Sequence, residues 1–357
     1  MTDYDFLAGF LEALSRELED VPGDLPAPPC GDRWLVRSAL QKAIRRGHVG
    51  LARRAAVALG LFGNRYLWRA LVVIAIEDVG IADGELVGAV LAAASSASWR
   101  RSMGDSRVAS HLVRRMALAP HCQAACDLAM RCDAPLSPLS VRANVSAQVE
   151  AVCDVALPIT LRARAAFNLA GVFDPQEKNL DALWEGLRAV SAPVASMAER
   201  GWKLTGEPMA LLLPLVHEAA CGLAREAFSQ TDDRMLDHHL VDGFPTYALD
   251  RHTRMGRRLA TELLAQERAL SPIRELASAL DVSGFAIVAD HLFLVDGSSV
   301  RKRLHWPLGE ELRSPVRPLP GALLAGDRSQ DICQLLIQNW PLIEQRRLSY
   351  LTTAAAH

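Results

Sequence analysis

The stretch LVVIAIEDVGIAD, residues 71 to 83, constrains the fold more than any other. Six apolar residues run straight into Glu77 and Asp78. A buried parallel strand and a buried helix both give such a run, so periodicity alone leaves the two open. The strand reading would make this a nucleotide-hydrolysing enzyme, with two acids holding magnesium at the strand tip. The flanks favour the helix. Leu67, Leu71, Ile74 and Asp78 already share one stripe at helical spacing, and nothing breaks the chain between Asn64 and Glu77. Two carboxylates alone would also repel a triphosphate. The phosphate cradle GxxxxGK[ST] occurs nowhere in the 357 residues, and no GxGxxG opens a helix after a strand. Acids at a helix C-terminus oppose the helix dipole. Glu77 and Asp78 are therefore expected to find arginines, or backbone N–H groups at the start of the next helix, and to lock a helix–helix corner. The alternative is an acidic contact facing a partner.

The rest of the chain reads mostly as helix, because alanine, leucine and arginine dominate it. Residues 4 to 19 carry Phe6, Phe10, Leu14 and Leu18 on one stripe. A Pro/Gly-rich linker follows from 21 to 32, and Asp32 is placed to cap the next helix, which stops at Gly47. Further helices are predicted over about 49–62, from Asn64, after a cap at Asp83, and over roughly 105–118 and 121–132. DAPLSPLS, 133 to 140, marks a boundary. Asp174-Pro175-Gln176-Glu177 marks a helix start. After 281, FAIVADHLFLVDGSSVRKRLHW is rich in β-branched and aromatic residues, with Asp296-Gly297 as a turn, and reads as two or three antiparallel strands. The expected fold is mainly α, a multi-helix bundle with a small antiparallel β element near 284–306. It divides into an acidic N-terminal helix and linker (1–30), a helical domain (31–135), a second helical region (136–280) and a small α+β region (281–357).

SALQKAIRRGHVGLARRAAVALGLFGNRYLWRALVVIAIEDVGIADG resembles the C-terminal helical region of the replication-associated recombination protein A family, also called the maintenance-of-genome-stability family. These are AAA+ ATPases related to clamp loaders. Leu40, Lys42, Ile44 and Arg45 fit a basic "LxKSIR" helix, and Leu71, Ile74, Ala75, Glu77, Asp78, Gly80, Ala82 and Asp83 fit "RRLxxIASEDIGxADP". RMALAPHCQAACDLA is similar to "YLAxAPKSNAxYxA", with Ala119 and Pro120 matching and His121-Cys122 replacing Lys-Ser. The resemblance covers about residues 35 to 132. Ile76 and Gly84 depart from it, and the ATPase module is missing. It implies a clamp-loader-collar-like helical region tied to DNA replication and repair, which in the family helps to form a tetramer. It does not imply ATP hydrolysis. Glu77, Asp78, Gly80 and Asp83 form its structural motif.

Net charge is −2, but charge is segregated along the chain. Residues 31 to 69 hold nine basic side chains against the single acid Asp32, and residues 1 to 24 hold seven acids against Arg16. Arginine forks suit phosphate oxygens. Arg37, Lys42, Arg45, Arg46, Arg53 and Arg54, with Arg251, Arg254 and Arg258 on a later helix and Arg301 and Arg303 near the strands, are candidates for sequence-independent nucleic-acid contact. The competing reading is solvated faces and internal salt bridges. The acidic N-terminal helix could cover one of these patches, in the same subunit or in a neighbour. The seven tryptophans are spread like core anchors and do not interleave with the basic runs as a stacking platform would.

The densest reactive segment is 232 to 256. Asp237, His238, Asp250 and His252 there could do acid–base work or bind a metal. Adjacent His238 and His239 cannot share a site on a helix, and Asp250 is explained as a helix cap, so a structured, partner-binding loop is the other reading. Cys122 and Cys126, four apart on a helix, could share zinc but more often pack in a core. No GxSxG occurs. The odd cysteine count, the absence of CxxC and the acidic N-terminus suit a reduced cytoplasmic protein, with no span that crosses a membrane. The expectation is a non-catalytic helical scaffold or oligomerisation protein of DNA or RNA metabolism, or of a mobile element, without metal or cofactor. Its expected partners are further copies of itself or a larger complex, and nucleic acid. An enzyme with a site around 237–253, or an adaptor that touches no nucleic acid, are the alternatives.

Overall fold

The computed structural model describes residues 3–19, 31–132, 144–313 and 325–355. The predicted boundary at 133–140 and most of the 21–32 linker lie outside them. The protein is mainly helical, and the described residues form two small antiparallel sheets of two strands each. One contiguous buried cluster runs from Leu14 to Leu351. Among the described residues no helix is long and apolar enough to cross a membrane.

Helix α1 (Asp3–Leu18) buries Leu14 and Leu18, and Phe10 lies over Gly88 of α5 (Gly84–Ser95). Its acidic end pairs within the chain: Glu17 meets His111 and Arg115 of α7 (Asp105–Leu118), which follows the short α6 (Ala97–Met103). Helix α2 (Arg33–Arg45) starts at Asp32, whose carboxylate accepts from the N–H groups of Trp34 and Leu35. It packs on α3 (Val49–Leu61), which is followed by α4 (Asn64–Ile74).

The 71–83 stretch is a helix end. α4 continues into a single π turn, Ala75–Val79, where the N–H of Gly80 reaches the carbonyl of Ala75. Gly80 has φ +53°, and a Cβ there would stand 2.5 Å from the carbonyl oxygen of Cys122. Glycine is needed on both counts. Asp83 then caps α5 by accepting from the N–H of Leu86. The π turn widens the helix by one residue and turns Asp78 inward.

Two caps differ from expectation. Asp174 closes only a 3-10 turn, and the long helix behind it starts at Leu180 with Asn179 as its cap. Asp250 is not the helix cap: its carboxylate accepts from the N–H of His252, and Thr253 caps the helix Arg254–Gln266.

The β element also differs in position. Gly284–Leu292 is a helix continued by a π turn, Phe293–Gly297, and only Arg303–His305 is a strand. Ile287 and Val288 are buried in that helix. Burial outweighs a strand propensity that spans only about 1 kcal/mol. The strand pairs with the distant Ser229–Thr231 rather than with a neighbour in a hairpin. A two-residue ladder, Leu240–Val241 with Phe244–Pro245, forms around Asp242-Gly243, where φ is +49° and +83°.

Replacing Gly80 by alanine is expected to destabilise the fold by about 2–4 kcal/mol, combining left-handed strain with a backbone clash. Urea unfolding of G80A against wild type measures this, and an unchanged midpoint would refute the tight docking of the π turn on Cys122.

Candidate functional site

Helix α2 carries three cations in its last turn and just beyond it, and each one meets a carboxylate from a remote segment. Lys42 Nζ lies 2.6 Å from Asp250 and 3.0 Å from the Ser38 hydroxyl. Arg45 Nε donates to Asp78 at 2.6 Å, and another of its nitrogens donates to the carbonyl of Gly297 at 2.8 Å. Arg46 pairs with Asp296, whose other oxygen accepts from Arg347 at 2.7 Å. All seven of these charged residues are buried. Burial would raise Asp250 and Asp296, yet Lys42 beside the first and Arg347 and Arg46 beside the second hold both below the usual carboxylate range. Burial pushes Lys42 down to about 8 despite Asp250.

Asp78 is the most heavily bonded of the acids. Besides Arg45 it accepts from the amides of Gln123 at 2.9 Å and Gln41 at 3.0 Å. Its own carbonyl accepts from the N–H of Cys122 at 2.9 Å. The partner foreseen as an arginine is therefore Arg45, from α2. The N-terminus of α5 serves Asp83 instead.

Glu77 points the other way, into a cleft of about 490 Å³ between α2, the π turn, α8 (Ala124–Cys132) and the 250–252 loop. Arg37, Lys42, Arg45, Glu77, Asp250, Arg251 and His252 line it, together with Gln41, Gln123, Cys126, Trp34 and Phe293. Thus the Glu77–Asp78 turn, the basic helix and part of the 237–253 segment converge on one place. Glu77 accepts from Gln41 at 2.8 Å. Burial, helped by Asp78 and Glu207, raises it to about 7. His252 stands at the rim with Phe293 edge-on at 5.7 Å. Burial and the cations Lys42, Arg251 and Arg45 outweigh Asp250 and push it down to about 4, leaving the imidazole neutral. The cleft thus holds one carboxyl that changes charge near neutral pH, among cations mostly neutralised by their own partners.

Several sequence candidates fall elsewhere. Lys42, Arg45, Arg46 and Arg303 are buried and ion-paired, so they do not present charge to a nucleic acid. Arg303 is clamped by Asp233 at 2.5 Å. Their basic run reads as a charged face in one dimension, but the folded chain supplies the counter-charges from distant residues. Arg53 donates to Ser110 at 2.7 Å, and Arg54 lies against Gly243. Arg251 pairs with Asp290. Arg258 is exposed beside Glu262, Arg301 is exposed beside Asp232, and Arg254 is exposed.

The 237–253 group does not form one site. Asp237 is exposed, and its carbonyl accepts from Trp340. His238 packs beside His48 and edge-on to Tyr247, with ring centroids 5.0 and 4.9 Å away. Only Asp250 and His252 reach the cleft. Burial pushes the Cys122 thiol up to about 11 and raises Cys126 as well, and Cys126 Sγ donates to the carbonyl of Glu77. Among the described residues no group of three His, Cys, Asp or Glu stands close enough to hold a metal.

Sequence reasoning missed Gln41, Gln123, Asp290, Asp296 and Arg347. Asp296 was readable only as a turn residue. Nothing along the chain links Arg347 to Arg46, which lies 301 positions earlier.

Asp78→Ala removes the counter-charge of a buried arginine and is expected to cost about 3–5 kcal/mol in urea unfolding. A loss below about 1 kcal/mol, the scale of an exposed pair, would deny Asp78 its structural role. Glu77 has its folded pKa raised, so the folded state holds the extra proton. Its stabilising effect is complete below pH 4.5 and is lost as pH rises to about 7. Glu77→Gln should remove that decline from the stability–pH curve, and an identical curve in the variant would contradict the assignment. Comparison of the chain with protein-family models, with curated proteins and with solved structures finds no match.

Proposed function

We propose that this protein is a non-catalytic helical scaffold of nucleic-acid metabolism, which self-associates or docks into a larger complex and holds nucleic acid through outward-facing arginines. The observation that carries this reading is the sorting of its cations. Those of the last turn of α2 are consumed by internal carboxylates. A second set reaches the surface: Arg65 and Arg69 on α4 and Arg254 and Arg257 on the 254–266 helix are exposed, and Arg33 and Arg37 on α2 are half-buried. Among the described residues none of these six is ion-paired. In a chain of net charge −2, unpaired arginines grouped on helix faces make a local positive field suited to phosphates. The resemblance of residues 35–132 to the recombination protein A family supports the same reading, and the proposed self-association follows that family's helical region.

Fluorescence anisotropy with labelled oligonucleotides tests the proposal. Binding is expected at about 50 mM salt, with affinity falling steeply and log-linearly as salt rises. Light scattering with and without DNA reports the assembly state. No binding at low salt to any single- or double-stranded probe would refute the nucleic-acid role.

A further inference from the structure

The N-terminal ends of α2 and α4 lie side by side, and their outer surface is unusual in composition. Trp34 is 48% exposed and Tyr66 44% exposed, and Leu61 and Phe62 beside them are exposed too. Large aromatic side chains normally bury most of their area. Arginines are interleaved with these rings. The Arg33 guanidinium sits 4.9 Å from the Trp34 ring centroid and 4.2 Å from that of Tyr66. Arg37 lies one turn along α2 from Arg33, and Arg65 and Arg69 flank Tyr66 on α4. Among the described residues the acids near this surface are engaged: Asp32 caps α2, Asp105 accepts from Asn64 and Trp68 of α4, and Glu207 feels Arg37 and Arg69 without forming an ion pair with either.

We infer that this face is a platform for single-stranded nucleic acid, with bases stacked on Trp34 and Tyr66 and phosphates held by Arg33, Arg37, Arg65 and Arg69. The inference rests on the proposed nucleic-acid role and specifies its substrate class and its place. Two physical arguments select a single strand. Protein rings reach base faces only where bases are unstacked, since a duplex hides those faces. Four guanidinium groups with no ion pair among the described residues would also be costly to desolvate against an apolar protein surface, whereas a phosphate backbone neutralises them as the bases stack. Arg33 already holds a position between the two rings, so little side-chain freedom is lost on binding. Stacking is indifferent to base identity, so binding is sequence-tolerant. Trp34 and Arg37 also line the 490 Å³ cleft, so a strand crossing the platform runs toward the cleft mouth.

The test uses the full chain and a labelled oligo-dT of about 20 nucleotides, with a duplex of equal length as competitor; one such strand spans one or more sites of this kind. The wild type is expected to prefer the single strand. The double variant Trp34→Ala, Tyr66→Ala should bind it at least about tenfold more weakly, as loss of two stacking contacts requires. Both side chains are exposed, so the fold survives, which the thermal transition verifies. Trp34→Phe should retain most of the affinity. Phe173→Ala removes an exposed ring that also neighbours an arginine, Arg164 at 5.4 Å, and should leave binding unchanged. Equal affinity of the double variant and wild type, or a preference for the duplex, overturns the platform while leaving the broader nucleic-acid role standing. A change in mass by light scattering in the double variant, with oligonucleotide affinity intact, assigns the face to a second copy of the chain and also overturns it. Absence of binding to every probe overturns both.

Discussion

The structure depends on three cations at the end of one helix. Lys42, Arg45 and Arg46 lie within one turn of α2 and its cap, and each enters the interior to meet Asp250, Asp78 and Asp296 in turn. Charges taken out of water are costly, and only good geometry with further hydrogen bonds offsets that cost. Here the offsets are present: Gln41 and Gln123 on Asp78, Ser38 on Lys42, the Gly297 carbonyl on Arg45 and Arg347 on Asp296. A cation at a helix C-terminus also sits at the favourable end of its dipole. Each pair joins α2 to a segment far along the chain, so a wrong docking of any of them would leave a buried charge without a partner. The network therefore selects one arrangement of these segments.

The same network shapes the cleft. Asp78 must face α2, and the π turn at Ala75–Val79 makes that possible while its neighbour Glu77 faces the opening. Adjacent carboxylates in a regular helix turn would point about 100° apart. The widened turn and the left-handed Gly80 set their final directions, and Gly80 brings the chain against the backbone of Cys122. One acid is thus structural and the other is available. Burial near Asp78 and Glu207 leaves Glu77 titrating near neutrality. The cleft and the exposed arginine–aromatic face share Trp34 and Arg37, so the ordered interior and the outward surface meet along α2.

How much could be read in advance depends on the range of the interaction. Helix caps at Asp32 and Asp83, the start of α4 at Asn64 and the end of 71–83 as helix were legible, because each rests on contacts within a few residues. Asp250 was misread as a cap because its true partner, Lys42, lies 208 positions away. The tripeptide Val-Asp-Gly occurs at 241–243 and at 295–297. The first is a hairpin turn and the second ends a π turn with its aspartate buried against Arg46 and Arg347. Local chemistry is identical at the two places, so it could not tell them apart. Trp34 was grouped with core tryptophans, since nothing in a linear pattern shows which helix face remains uncovered. For the site, Glu77, Lys42, Asp250 and His252 were each visible as candidates, but their meeting in one cleft was not.

By itself the sequence determined a mainly helical chain, its principal helix ends and the absence of a phosphate-binding loop. Those follow from propensity, capping and motif spacing, all of which act over about one to four turns. Only the tertiary structure decided which cations are internal counter-ions and which face outward, where the strands pair, and which carboxylate opens into the cleft. The physical reason is that burial and Coulomb energy depend on distance in space, and the residues that settle them for α2 come from positions 78, 250, 296 and 347.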